Sequence, residues 1–115
     1  MPTRITREAL RRLMAGRHRP TLVEALGGGF YADAHLPGAL NIPPGHVDVL
    51  APVLLPDTTA SIVVYCTATC TSSEAVARRL EELGYGAVAV YVDGKEGWVE
   101  HGLPVERARA DTDRW

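Results

Sequence analysis

Ile62-Val63-Val64-Tyr65-Cys66 constrains this chain more than any other stretch. Three β-branched residues in an unbroken apolar run are the mark of a strand buried on both faces. Ser73 to Leu83 then reads as a helix, with Val76, Leu80 and Leu83 at i, i+4 and i+7 along one side. The loop between them opens with a cysteine and closes at a helix start. Thr71-x-x-Glu74 fits a capping box, which points the helix N-terminus back into that loop. A thiol on such a turn meets unpaired backbone N–H groups and the positive end of the helix dipole, and both favour thiolate over thiol. The spacing therefore predicts a reactive Cys66 on a strand–loop–helix turn. The plainer reading is an inert core thiol, because free cysteine is often buried.

The rest of the chain narrows the class. With 115 residues there is room for one domain, read here as 1–105 followed by a polar tail over 106–115. A hydrophobic share of 46% and a net charge of −2 describe an ordinary globular protein, without the basic surplus that nucleic acid or an acidic membrane surface selects. No apolar run approaches the roughly 20 residues of a membrane helix. The segment Met1 to Glu8 is charged throughout and has no signal-peptide core, so a cytoplasmic location is expected. Cys66 and Cys70 alone do not make a secreted disulfide framework.

In chain order, Thr6 to Ala15 reads as a helix with Thr6 as its cap and Gly16 as its stop, and Arg7, Arg11 and Arg12 fall on a solvated face. Thr21 to Ala25 is a short strand. Gly27-Gly28-Gly29 lacks the Gly-Lys-Ser/Thr ending of a phosphate loop and is read as a flexible turn, continuing as an irregular connection to a Pro37-Gly38 turn. Ala39 to Ile42 is a brief strand, and His46 to Leu54 a helix limited by Pro52. Ala87 to Val92 is a further apolar strand, followed by a short helix around Glu96 to His101. Strands alternating with helices imply an α/β fold, a mostly parallel central sheet flanked by helices on both faces. Ligands in such folds gather at the carboxyl ends of strands, where Cys66 stands.

Five ordered blocks between about Thr21 and Val105 resemble the rhodanese family of sulfurtransferases. They are Leu22-Val23-Glu24, His35-Leu36-Pro37-Gly38-Ala39-Leu40-Asn41-Ile42-Pro43, Val63-Val64-Tyr65-Cys66, Leu80-x-x-Leu83-Gly84-Tyr85, and Gly94-x-x-x-Trp98-x-x-x-Gly102-Leu103-Pro104-Val105. The resemblance implies a single rhodanese-like, three-layer domain whose cysteine carries sulfur as a persulfide. Cys66 would attack the outer sulfur of a donor such as thiosulfate, then pass it to cyanide, a small thiol or a protein cysteine. The binding loop would be Thr67, Ala68, Thr69, Cys70, Thr71 and Ser72, with no metal and no organic cofactor. Backbone N–H groups there would cradle the departing anion.

Three positions depart from the family loop. A glycine is usual where Thr69 stands and an arginine where Thr71 stands, and no basic residue lies between Cys66 and Glu74. A neutral loop should hold dianionic thiosulfate less well. It also tells against a cysteine phosphatase, whose phosphate-gripping arginine would fall at Ser72. Cys70 completes a Cys-x-x-x-Cys arrangement, as a resolving thiol that displaces sulfide from a Cys66 persulfide or as a small buried filler. Two other functions are carried forward: a rhodanese-fold module that binds or senses without efficient turnover, and a thiol redox protein working through Cys66 and Cys70. His35 is read as holding its turn by hydrogen bonds, Glu24 as structural, and Trp98 as either pocket wall or core. His18, His46 and His101 show no ligand spacing with the cysteines. Glu74 sets a negative charge near the expected thiolate.

Overall fold

Strand and helix alternate among the described residues, from Thr3 to Glu100. In the computed structural model, which describes residues 2–67 and 70–107, β1 (Thr3–Ile5) leads to α1 (Arg7–Ala15) and β2 (Thr21–Glu24) to α2 (Gly28–Asp33). The short β3 (Leu40–Asn41) leads to α3 (Val47–Leu54), β4 (Ile62–Tyr65) to α4 (Ser72–Glu82), and β5 (Val88–Tyr91) to α5 (Gly94–Glu100). The strands form one sheet in the order β1-β5-β4-β2-β3, and every pairing is parallel. β4 lies at the centre, with Val64 aligned to Val23 on one side and Val90 on the other.

Alternation along the strands sorts the core into two layers. Ile62, Val64, Val88 and Val90 face one way, against Val47 and Ala51 of α3 and Val76, Ala77 and Leu80 of α4. Val63, Tyr65 and Tyr91 face the other way, against Leu10 of α1 and Trp98 of α5. The three-layer α/β architecture that the blocks imply is thus the one adopted. Trp98 belongs to the second layer, edge-on to Tyr91 and donating its indole N–H to the Pro104 carbonyl at 2.7 Å.

Local chemistry accounts for most boundaries. The Thr6 hydroxyl accepts the Ala9 N–H at 3.2 Å, the cap read from the sequence. Gly38 takes a positive φ of 78° in the Pro-Gly turn, where the Ala39 N–H closes on the Leu36 carbonyl at 3.0 Å. Pro52 sits inside α3 without ending it, because the Leu55 N–H still reaches the Ala51 carbonyl at 2.7 Å.

Two elements correct the sequence reading. The triple glycine does not stay a flexible turn: Gly27 caps α2 and Gly28 and Gly29 form its first turn. Glycine's poor helix propensity is overridden by tertiary contacts. The Tyr31 hydroxyl donates to the Ala39 carbonyl at 2.6 Å, and its ring stacks on His35 at 3.8 Å. The second element is β1, an edge strand of three residues, two of them exposed, with no apolar alternation to announce it. At the other end Glu106 pairs with His35 through two backbone hydrogen bonds of 2.8 and 2.9 Å, so ordered packing reaches one residue into the segment read as tail. Residues 108–115, including Trp115, lie outside the described residues.

Candidate active site

Tyr65 is the last residue of β4, so Cys66 emerges at the strand's carboxyl end. Backbone contacts fix its position: the Lys95 N–H donates to the Cys66 carbonyl at 2.9 Å, and the Ala25 N–H to the Tyr65 carbonyl at 2.8 Å. A polar network reinforces the same place. Glu24, fully buried, accepts the Tyr65 hydroxyl at 2.9 Å and the Lys95 ammonium at 3.0 Å on separate oxygens. Lys95 also donates to the Phe30 and Ala34 carbonyls, while the Tyr65 hydroxyl accepts the Leu36 N–H at 3.0 Å. A buried carboxylate so fully satisfied is a framework group, clamping α2, α5 and the turn at Leu36 beneath the cysteine. His35 has its own framework bond, Nδ1 to the Tyr31 carbonyl at 2.7 Å.

The two thiols differ sharply in setting. Cys66 is 1% exposed, and its Sγ–H meets the Cys70 carbonyl at 3.3 Å and Ser73 Oγ at 3.4 Å. Burial, followed by a hydrogen bond to the Cys70 sulfur, pushes the Cys66 thiol up. Cys70 is half-buried and accepts the Ser72 N–H on its sulfur at 3.3 Å. Burial works upward on Cys70 too, but hydrogen bonds from the Cys66 thiol, Ser72 and Thr67 together outweigh it and lower the group to about 7. Of the helix-start N–H groups, that of Ser72 is given to Cys70, while at Cys66 the hydrogen bonds with Ser73 work downward without outweighing burial. Both cysteines are free.

The expected capping box does not form. Thr71 caps α4 without a side-chain hydrogen bond, and Glu74 turns instead to an ion pair with Arg4 of β1. The reason is competition: a guanidinium within reach is a stronger partner for the carboxylate than one backbone N–H. Arg4, Glu74, Thr67, Cys70, Thr71 and Ser73 line an open cavity of about 260 Å³, together with the end of β5. Of the loop residues named from sequence, Thr67, Cys70 and Thr71 meet at this cavity, Ser72 supports Cys70, and Ala68 and Thr69 lie outside the described residues. Arg4 is the functional candidate that sequence reasoning missed. It reaches the loop across 70 positions of chain, and only the strand pairing of β1 with β5 brings it there.

Among the described residues no cluster of three or more His, Cys, Asp or Glu could hold a metal ion, and no helix is long and apolar enough to cross a membrane. His101 Nδ1 lies 2.9 Å from the Gly97 carbonyl, a local contact within its own helix end.

The family model for the rhodanese-like domain matches residues 6–101 of this chain. The chain belongs to the rhodanese-like domain family. Among solved structures, a thiosulfate sulfurtransferase from Pseudomonas aeruginosa is 26% identical with a TM-score of 0.77, over 92% of this chain and 20% of that one. This rhodanese-like chain thus spans about a fifth of that relative's length. A rhodanese with anions from E. coli is 25% identical with a TM-score of 0.65, over 77% of this chain and 99% of that one. A human single-domain sulfurtransferase shares the fold at 23% identity and a TM-score of 0.72, over 87% of this chain and 96% of that one. No curated protein sequence gives a match.

Proposed function

We propose that this rhodanese-like domain is a cytoplasmic sulfurtransferase in which Cys66 carries a sulfane sulfur as a persulfide. The observation that carries the reading is the placement of Cys66 at the carboxyl end of the central strand, beside a second thiol, in a chain of this family. The donor is a small sulfane compound such as thiosulfate. The acceptor is cyanide, a small thiol or a protein cysteine, and no metal or organic cofactor takes part. Sulfur moves without net oxidation: a thiolate bonds to the donor's outer sulfur, the donor's S–S bond breaks, and the remainder leaves with the electron pair. Hydroxyls and N–H groups of Thr67 to Ser72 would receive the departing anion.

One observation favours a second reading, a domain that binds or senses through its loop with little turnover. The guanidinium at the cavity is already paired with Glu74, which leaves the site with no uncommitted cation among its described lining residues. The test is to incubate wild type and Cys66→Ala with thiosulfate and with inorganic tetrasulfide, following intact mass and thiocyanate formation. Wild type should gain sulfur and turn over with cyanide. No gain with either donor would sink the enzyme reading in favour of the binding module, and full turnover by Cys66→Ala would sink the assignment of the carrier.

A further inference from the structure

The persulfide chemistry leaves one question that the two thiols answer differently: which sulfur meets the donor first. Cys70 lines the open cavity with Arg4 and Thr67, whereas Cys66 is 1% exposed. Cys70 also holds what a nucleophile needs there, an N–H from Ser72 on its sulfur at 3.3 Å. Cys66 is arranged as a proton donor. Its thiol lies 3.3 Å from the Cys70 carbonyl and 3.4 Å from Ser73 Oγ. The Cys66 sulfur lies 3.3 Å from the Cys70 carbonyl, and the Cys70 N–H closes on the Thr67 carbonyl at 3.3 Å, so both thiols sit on one turn of the loop and a group on one can be handed to the other.

We propose that Cys70 is the entry nucleophile of a two-thiol relay, taking the sulfane sulfur from the donor at the cavity and handing it inward to Cys66. This rests on the sulfurtransferase reading and gives Cys70 a step before the carrier, where a resolving thiol would act after it. In the first step the Cys70 thiolate bonds to the outer sulfur of thiosulfate. The S–S bond of the donor breaks, and sulfite leaves with the electron pair. In the second step Cys66 Sγ bonds to that outer sulfur, the bond from Cys70 Sγ breaks with its pair returning to Cys70, and the Cys66 proton crosses to the Cys70 sulfur. The sulfane sulfur keeps its oxidation state throughout, so no oxidant or reductant is required. The lowered Cys70 thiol, about 7, is consistent with the order. The charged and titratable groups around it are Cys66, Arg4, Glu74 and Tyr91.

The experiment is a rapid-quench single turnover with thiosulfate, and in parallel with inorganic tetrasulfide, on wild type, Cys70→Ser and Cys66→Ser. Persulfides are trapped with iodoacetamide and located by fragment-ion mapping. In wild type the added sulfur should appear on Cys70 first and on Cys66 later. Cys66→Ser should load Cys70 and hold the sulfur there, with none passed inward. Cys70→Ser should load Cys66 about tenfold more slowly at neutral pH, since a smaller thiolate fraction is only partly offset by the better nucleophilicity of a more basic thiol. Loading of Cys66 in Cys70→Ser at the wild-type rate, or sulfur on Cys66 first in wild type, would overturn the relay while leaving the sulfurtransferase standing. Absence of sulfur on every protein, wild type included, would overturn both. The wild-type time course decides the order even if a serine variant folds poorly.

Discussion

Two cysteines four positions apart have opposite acid–base fates because one is enclosed and the other is solvated by N–H groups. Cys66 is raised, first by burial, and Cys70 is brought down to about 7 by its hydrogen bonds. Alkylation of the folded wild type by iodoacetamide should therefore rise through a midpoint near 7, with the label on Cys70. In Cys70→Ser that limb should vanish, leaving only slow labelling at high pH. The linkage has a definite sign. Cys70 is depressed from 9.0, so the stability it confers is fully present above about 9 and disappears as pH falls through about 7. A wild-type midpoint at or above 9, the ordinary thiol value, would refute the assignment.

Arg4 and Glu74 matter in the same way, because their pairing neutralises the one guanidinium among the described residues that line the cavity. Glu74→Gln should free it for an anion. An exposed pair of this kind is worth up to about 1 kcal/mol, so KM for thiosulfate should fall by up to about fivefold. The gain should shrink with added salt. An unchanged KM at low ionic strength would show that Arg4 does not reach the donor. The sequence could announce the missing loop cation, since that is a matter of counting residues after Cys66. It could not announce Arg4, which depends on a strand pairing between the chain's opposite ends.

At the scale of elements, what was legible followed the strength of the local signal. β4 and α4 combine a β-branched run with helical periodicity, and both stand within a residue of the sequence reading. β1 has neither, and α2 begins with two glycines, so their formation depends on partners elsewhere in the chain. α2 has such a partner in Lys95, which donates to the Phe30 and Ala34 carbonyls while neutralising Glu24. Lys95→Ala leaves the buried Glu24 without its cation, a change that costs about 3–5 kcal/mol. Thermal unfolding of Lys95→Ala should fall accordingly, and Glu24→Gln/Lys95→Met together should recover part of the loss. If Lys95→Ala melts with wild type, the network is not what clamps α2 under the cysteine.

Across the whole molecule, the parallel sheet places every strand's carboxyl end on one side, and that is why a short loop after β4 can gather groups from β1, α4 and β5. The same topology leaves the opposite flank to be closed by the chain's later residues. Glu106 does this by a double backbone bridge to His35, and its carboxylate accepts the Gly38 N–H at 2.9 Å. Patterning could not show this, because a single bridge has no periodicity and Glu106 sits in a polar stretch. A chain ending at Val105 loses both backbone hydrogen bonds and the contact that holds the Pro37-Gly38 turn. At about 1 kcal/mol each, the two backbone bonds together contribute about 2 kcal/mol. For a domain of this size that corresponds to a fall in Tm of about 5–10 °C. A chain ending at Arg107 keeps the bridge and should melt as the longer chain does. Circular dichroism melts of the two truncations decide it. If both unfold at the same temperature, the His35–Glu106 bridge contributes nothing and the domain is already closed at Val105.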